Sequence, residues 1–164
     1  MIEIVRIPDE RKPVLIGRAG KTKKGIEKCT CTSIEVSDDV TISGEDPLLV
    51  LKAKEMVLAI GRGFSPQEAS RLLEESCELH IISLEGETLK KRRRLLGRVI
   101  GKQGNAKKRI AADTGASISI QGKTLALLGT HDEIGPAEDA IEELLAGKTH
   151  AYAYRRMYRK KVSV

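Results

Sequence analysis

Two short segments of this 164-residue chain have the residue types needed to approach a phosphate. Gly17-Arg18-Ala19-Gly20 and Gly101-Lys102-Gln103-Gly104 each place glycine at both ends of a four-residue turn. With no Cβ at those ends, a sugar-phosphate backbone can lie against the main chain. A helix starting at the second glycine then aims its free N–H groups and the positive end of its dipole at the anion. Each such charge–helix interaction contributes roughly 0.3–1 kcal/mol when exposed. Cations reinforce it: Lys21, Lys23 and Lys24 follow the first turn, and Lys107 and Lys108 follow the second, after the neutral donor Asn105. Their attraction is salt-sensitive, and joining two weak sites in one chain raises overall affinity through effective concentration. Upstream of the second turn stand Arg92, Arg93, Arg94 and Arg98, a basic run that either guides a polyanion toward the turn or forms a solvated helix face.

Other chemistries find little support. Gly20-Lys21-Thr22 imitates the end of a nucleotide-binding P-loop, but that motif needs glycine five positions before Gly20, where Leu15 stands. Cys29, Cys31 and Cys77 have neither redox nor zinc spacing and read as buried thiols. His80, His131 and His150 are scattered, and no carboxylate cluster is evident. No catalytic residue, metal or cofactor is therefore expected, and the chain reads as a binder rather than an enzyme. Tyr152, Tyr154 and Tyr158 sit among Arg155, Arg156, Arg159, Lys160 and Lys161, where they either stack bases or pack the tail onto a domain.

The elements that must position these turns repeat. Ile16-Gly17-Arg18-Ala19-Gly20 returns as Ile100-Gly101-Lys102-Gln103-Gly104, a shift of 84 positions, and the register persists through Lys23-Lys24, Ile26 and Ser33-Ile34-Glu35-Val36. Each copy reads as strand, short helix, turn, second helix, two strands and a closing helix. Asp46-Pro47 opens the first closing helix as N-cap and first-turn proline, and Thr130 with Glu133 offers a capping box for the second. Gly115 marks the end of the helix after the second turn. Between the copies, Gly61 to Pro66 breaks the chain and Ser65-Pro66-Gln67-Glu68 starts a short helix, so the linker is expected to pack on a domain. The boundaries are a first domain over 1–61, a helical linker over 62–76, a second domain over 77–148 and a basic, Tyr-containing tail over 149–164.

Composition agrees with a folded binder of an anion. Lys plus Arg outnumber Asp plus Glu by 29 to 23. Aromatic residues make up only 2% of the chain, so the core must be aliphatic and few rings are available for base stacking. Nowhere do eighteen uncharged apolar residues run together, and Met1 to Arg6 lacks a signal-peptide core, from which no membrane association and a cytoplasmic location are expected.

The order strand, helix, Gly-x-x-Gly, helix, strand, strand, helix resembles the eukaryotic-type (type I) K-homology (KH) fold, whose loop clamps about four nucleotides of single-stranded nucleic acid. The resemblance covers nearly the whole chain and implies an α+β protein of two tandem KH domains, each a three-stranded antiparallel sheet packed against three helices. It also implies an aliphatic groove for bases beside each loop: Ile16, Ile26 and Ile34 in the first copy, and Ile100, Ile110 and Ile118 in the second. Lys23 and Lys107 depart from the family, which usually carries an aliphatic residue there; each lysine either contacts the nucleic-acid backbone or covers the groove with its stem. The stretches Leu95 to Gly104 and Asp113 to Thr124 look closer still to the KH factors that assemble the small ribosomal subunit in archaea and eukaryotes. That resemblance implies binding of single-stranded RNA near the 3′ end of small-subunit rRNA. Its implied partners are the rRNA 3′-end endonuclease, the rRNA adenosine dimethyltransferase and a translation initiation factor. With both loops intact the compact chain looks archaeal. The rival reading is a scaffold in which one copy docks a protein.

Overall fold

The computed structural model describes residues 1–162, which form two compact units, Met1–Glu75 and the residues from Ser76 onward. The first contains β1 (Ile2–Val5), α1 (Lys12–Ile16), α2 (Lys21–Thr30), β2 (Ser33–Val36), β3 (Val40–Ser43), α3 (Pro47–Gly61) and a short α4 (Pro66–Ala69). The second repeats the order as β4 (Cys77–Ser83), α5 (Leu89–Ile100), α6 (Asn105–Thr114), β5 (Ser117–Gln121), β6 (Thr124–Thr130) and α7 (His131–Leu145), then adds α8 (His150–Val162). Both sheets are antiparallel with the last strand central, β1-β3-β2 and β4-β6-β5. The α+β architecture expected from the repeat is what the chain adopts.

Period-two alternation decides which sheet face meets the helices. In the first unit Val5, Ile34, Val40 and Ile42 are buried, while Ile2 and Ile4, on the opposite face, are 68% and 65% exposed. In the second unit Ile118, Leu125 and Leu127 join Val99 of α5, Ile110 of α6 and Ile134 and Ile141 of α7 in an aliphatic core. Helix starts fall where the capping residues put them. Asp46 accepts from the Leu48 amide at 2.9 Å, and Thr130 and Glu133 bond each other's backbone N–H, which fixes the start of α7 despite Pro136 inside it.

Both flanking segments pack. The segment read as a linker, 62–76, lies against the first unit up to Glu75: Phe64, Ala69 and Leu72 are buried, and Arg11 donates to the carbonyls of Ile60 and Phe64 at 2.8 and 2.9 Å. The segment read as a tail is a fourth helix of the second unit, with Ala153 and Met157 fully buried in the core that α7 shares. Tyr154 lies under the Arg109 guanidinium at 4.1 Å, and Tyr158 Oη donates to Asp113 while accepting from Arg109. Both rings are thus held in contacts between α8 and α6, with Tyr158 still 38% exposed. Positions 163 and 164 of the expected tail lie outside the described residues.

The two loops have almost the same backbone. Gly17 (φ 74°, ψ 178°) and Gly101 (φ 74°, ψ 179°) occupy a region essentially closed to other residues. A Cβ on Gly101 would lie 2.8 Å from the Ala106 amide nitrogen, and one on Gly17 would lie 2.8 Å from that of Thr22. At Gly20 and Gly104 a Cβ would meet only a lysine Cε, at 3.8 Å. The first glycine thus lets the turn close on the helix, and the second keeps its outer side open. Between them Ala19 and Gln103 take φ values of 54° and 56°, a left-handed strain of roughly 1–2 kcal/mol each.

Two stability outcomes are expected. Gly101→Ala should cost about 1–3 kcal/mol through its backbone clash, and Gly104→Ala only about 1 kcal/mol, as read by urea unfolding; equal costs would contradict the division of labour between the glycines. Met157→Ala should destabilise by about 2–5 kcal/mol in thermal unfolding, since it empties a fully buried site between α8 and the core.

Candidate nucleic-acid interface

A helix leaves its first amides without intrahelical acceptors, and most helices here meet that need with a side chain. Asp46 caps α3, Thr88 caps α5 and Thr130 caps α7. By contrast, α2 and α6 start at Gly20 and Gly104 with no side-chain cap bond. Their first amides, at Lys21 and Asn105, reach back to the carbonyls of Arg18 and Lys102; the rest of the first turn and the dipole end have no side-chain acceptor, a setting that suits an anion.

Cations gather at the same places. Arg18, Lys21 and Lys24 are exposed around the first loop, and Lys102 and Lys108 around the second, beside the neutral amides of Gln103 and Asn105. Lys23 and Lys107 are half-buried on the first turn of each helix and differ in what they meet. Lys23 Nζ pairs with Glu27 Oε1 at 2.9 Å, whereas the residue four positions after Lys107 is Ala111. Glu27 also accepts from the Ile34 amide at 2.8 Å. Burial alone would raise the Glu27 carboxyl, but the Ile34 amide and the Lys23 ammonium outweigh it and hold the group below the usual carboxylate range.

Several sequence expectations need correction. Of the six groove isoleucines only Ile16 and Ile100 reach the surface, at 37% and 36% exposure; Ile34 and Ile118 are turned into the core by strand alternation, and Ile26 and Ile110 lie on the core-facing sides of α2 and α6. Arg98 does not join the loop. Its guanidinium donates to the carbonyls of Leu144 and Lys148, and its own carbonyl meets His150, so it closes the end of α7. Arg92 is half-buried, whereas Arg93 and Arg94 are exposed on the face of α5 opposite buried Leu95 and Val99. Cys77 alone of the three cysteines is buried; Cys29 and Cys31 are exposed. Among the described residues, no group of three or more His, Cys, Asp or Glu side chains is placed to hold a metal, and no helix is long and apolar enough to cross a membrane.

Sequence reading missed two residues. Arg109 appears as one more lysine-like charge until Tyr154 is seen beneath it. Glu27 carried one usable signal, its replacement by Ala111 at the 84-position shift.

Comparison with known proteins agrees with this geometry. Residues 2–59 match the KH domain, and residues 76–162 match the eukaryotic-type KH domain (KH-domain type I). The KH domain-containing protein MJ0443 of Methanocaldococcus jannaschii is 42% identical over 99% of this chain and 75% of its own length. The pre-rRNA-processing protein pno1 of Aspergillus fumigatus is 31% identical over 63% of this chain and 43% of its own, so this chain spans under half of that relative. A chain in the crystal structure of the a/eIF2alpha-aDim2p-rRNA complex from Pyrococcus horikoshii OT3 superposes with a TM-score of 0.91 at 44% identity, covering 100% of this chain and 96% of that one. With both halves matched and the fold reproduced in each, the chain belongs to the KH-domain family, its second half to the eukaryotic type.

Proposed function

We propose that this protein binds single-stranded RNA through its two Gly-x-x-Gly loops and acts in assembly of the small ribosomal subunit, on rRNA near the 3′ end. The observation that carries the reading is the pair of helices whose first amides have no side-chain cap, each behind a glycine-edged loop and ringed by lysines. The proposed contacts are Gly17, Arg18, Ala19, Gly20, Lys21 and Lys24 in the first copy. Those in the second are Gly101, Lys102, Gln103, Gly104, Asn105, Lys107 and Lys108, with Arg93 and Arg94 as a steering surface. The exposed Ile16 and Ile100 edge each loop with an apolar surface for a base. Support for the RNA class comes from the similar aDim2p chain in a complex with rRNA, and support for rRNA processing from the pno1 relative.

The role is binding, without a catalytic step, in the cytoplasm. A translation initiation factor is the first proposed protein partner, since a/eIF2alpha is part of that same complex. The 3′-end endonuclease and the adenosine dimethyltransferase remain part of the proposal on family resemblance. Protein docking has its own observation in the first unit, where Leu48 is 73% exposed, Leu51 41% and Leu73 38%, near Asp46, Glu55 and Glu75. That face suits a partner with apolar and basic residues.

The test is affinity for a single-stranded oligoribonucleotide of the small-subunit 3′ end. K102D/Q103D and R18D/A19D should each weaken binding by about tenfold or more, through lost and reversed charge at the phosphates. Wild-type affinity should fall with salt at about −0.7 log units per contacted phosphate, giving a slope of several units if both loops engage. R93E/R94E should weaken binding to all sequences alike. Binding unaffected by both loop variants would refute the assignment.

A further inference from the structure

The loops match almost angle for angle, but the sheet edges beside them do not. β2 is an outer strand, so alternate amides on it point away from the ladder. Ile34 stands at such a position. Its N–H donates to Glu27 Oε1, and the same oxygen takes the Lys23 ammonium. The pair is well shielded, with side-chain exposures of 29% for Lys23 and 21% for Glu27. Because Lys23 lies on the first turn after the loop and Ile34 on the strand edge, this bridge spans the path from loop to sheet.

At the 84-position shift the three places hold Lys107, Ala111 and Ile118. Ile118 faces the same way as Ile34. Gln121 and Thr124 pair across the two-residue turn Gly122-Lys123 and so form a hydrogen-bonded pair. Counting back in alternation, Ile118 opposite Leu127 falls at an outward position on edge strand β5. Ala111 ends at Cβ and offers no acceptor to it.

We infer that Glu27 is a built-in competitor for the base-reading edge of the first copy. The second copy, where Ala111 leaves the Ile118 amide uncovered by α6, is then the one that hydrogen-bonds bases, while the first holds the RNA backbone. This rests on the reading of the loops as RNA sites. A base acceptor arriving at Ile34 must displace a charge-assisted bond, roughly twice as strong as the neutral one it would form. At Ile118 it displaces no side chain. Electrostatics point the same way: Glu27 stays ionised at neutral pH and offsets the charge of Lys23, whereas at the 84-position shift Lys107 has Ala111, not a carboxylate, four residues on.

The experiment uses the full chain, its E27A and A111E variants, and the K102D/Q103D loop variant, with a single-stranded oligoribonucleotide of the small-subunit 3′ end as probe. In wild type, RNA should shift the Ile118 amide resonance and leave that of Ile34 in place. In E27A the Ile34 resonance should move as well, and with the second loop disabled by K102D/Q103D, E27A should bind about 3–10-fold tighter than the same background with Glu27, the worth of one hydrogen bond. A111E, which rebuilds the pair with Lys107, should weaken binding by a similar factor; if it does not fold, E27A decides alone. The inference is overturned if Ile34 shifts in wild type as much as Ile118. It is equally overturned if E27A leaves both the affinity and the Ile34 response unchanged while K102D/Q103D still lowers binding, a pattern that leaves the loops standing as RNA sites. Failure of every variant and of wild type to bind removes both readings together.

Discussion

The first-turn amides of α2 and α6 leave helices whose caps are glycines, and the surrounding structure keeps them that way. A serine, threonine or aspartate at Gly20 or Gly104 would satisfy those donors internally and blunt the positive end of the helix. Glycine also permits the left-handed backbone that turns α1 into α2 and α5 into α6 within four residues. The Ala19 and Gln103 conformations show that the turn is held from outside, by helices packed through Leu15 and Ile26 in one unit and Val99 and Ile110 in the other. The core is therefore what maintains a strained loop with outward donors, and an aliphatic core suffices because its task is to fix two short helices against a sheet.

Much of this was legible from the sequence because it is written locally and twice. The Gly-x-x-Gly spacing, the Asp46-Pro47 start and the Thr130–Glu133 box each depend on residues within four positions of one another, and the duplication at 84 positions tests every assignment a second time. What escaped depends on distant pairs. Arg98 looks like one more cation before the loop until the end of α7 is placed beside it. The segment from His150 looks like a charged tail because its contact with α7 rests on Ala153 and Met157, two inconspicuous residues among eight arginines, lysines and tyrosines. The groove isoleucines rest on family resemblance, and only strand parity at Ile34 and Ile118 and helix facing at Ile26 and Ile110 show four of them turned inward.

Duplication also makes the departures informative. Two copies with the same loop angles and the same threonine bonded back onto its helix, Thr30 to Ile26 and Thr114 to Ile110, share one folding solution. Against that background a carboxylate in one copy and a methyl group in the other is a difference the fold does not require. Tandem modules often diverge this way, since linkage lets one site supply local concentration while the other supplies selectivity.

The packing of α8 carries a mechanical consequence. α6 is a rod of ten residues, about 15 Å long, with the second loop at one end. At the other end Tyr158 and Lys161 bond the side chain and carbonyl of Asp113, and Arg109 lies clamped over Tyr154. The rod is thus held at the end farthest from its loop as well as along the buried face of Ala106 and Ile110. Shortening the chain before Tyr154 would remove the far hold, and the aim of the loop would rest on that buried face alone although none of the loop's own atoms had changed.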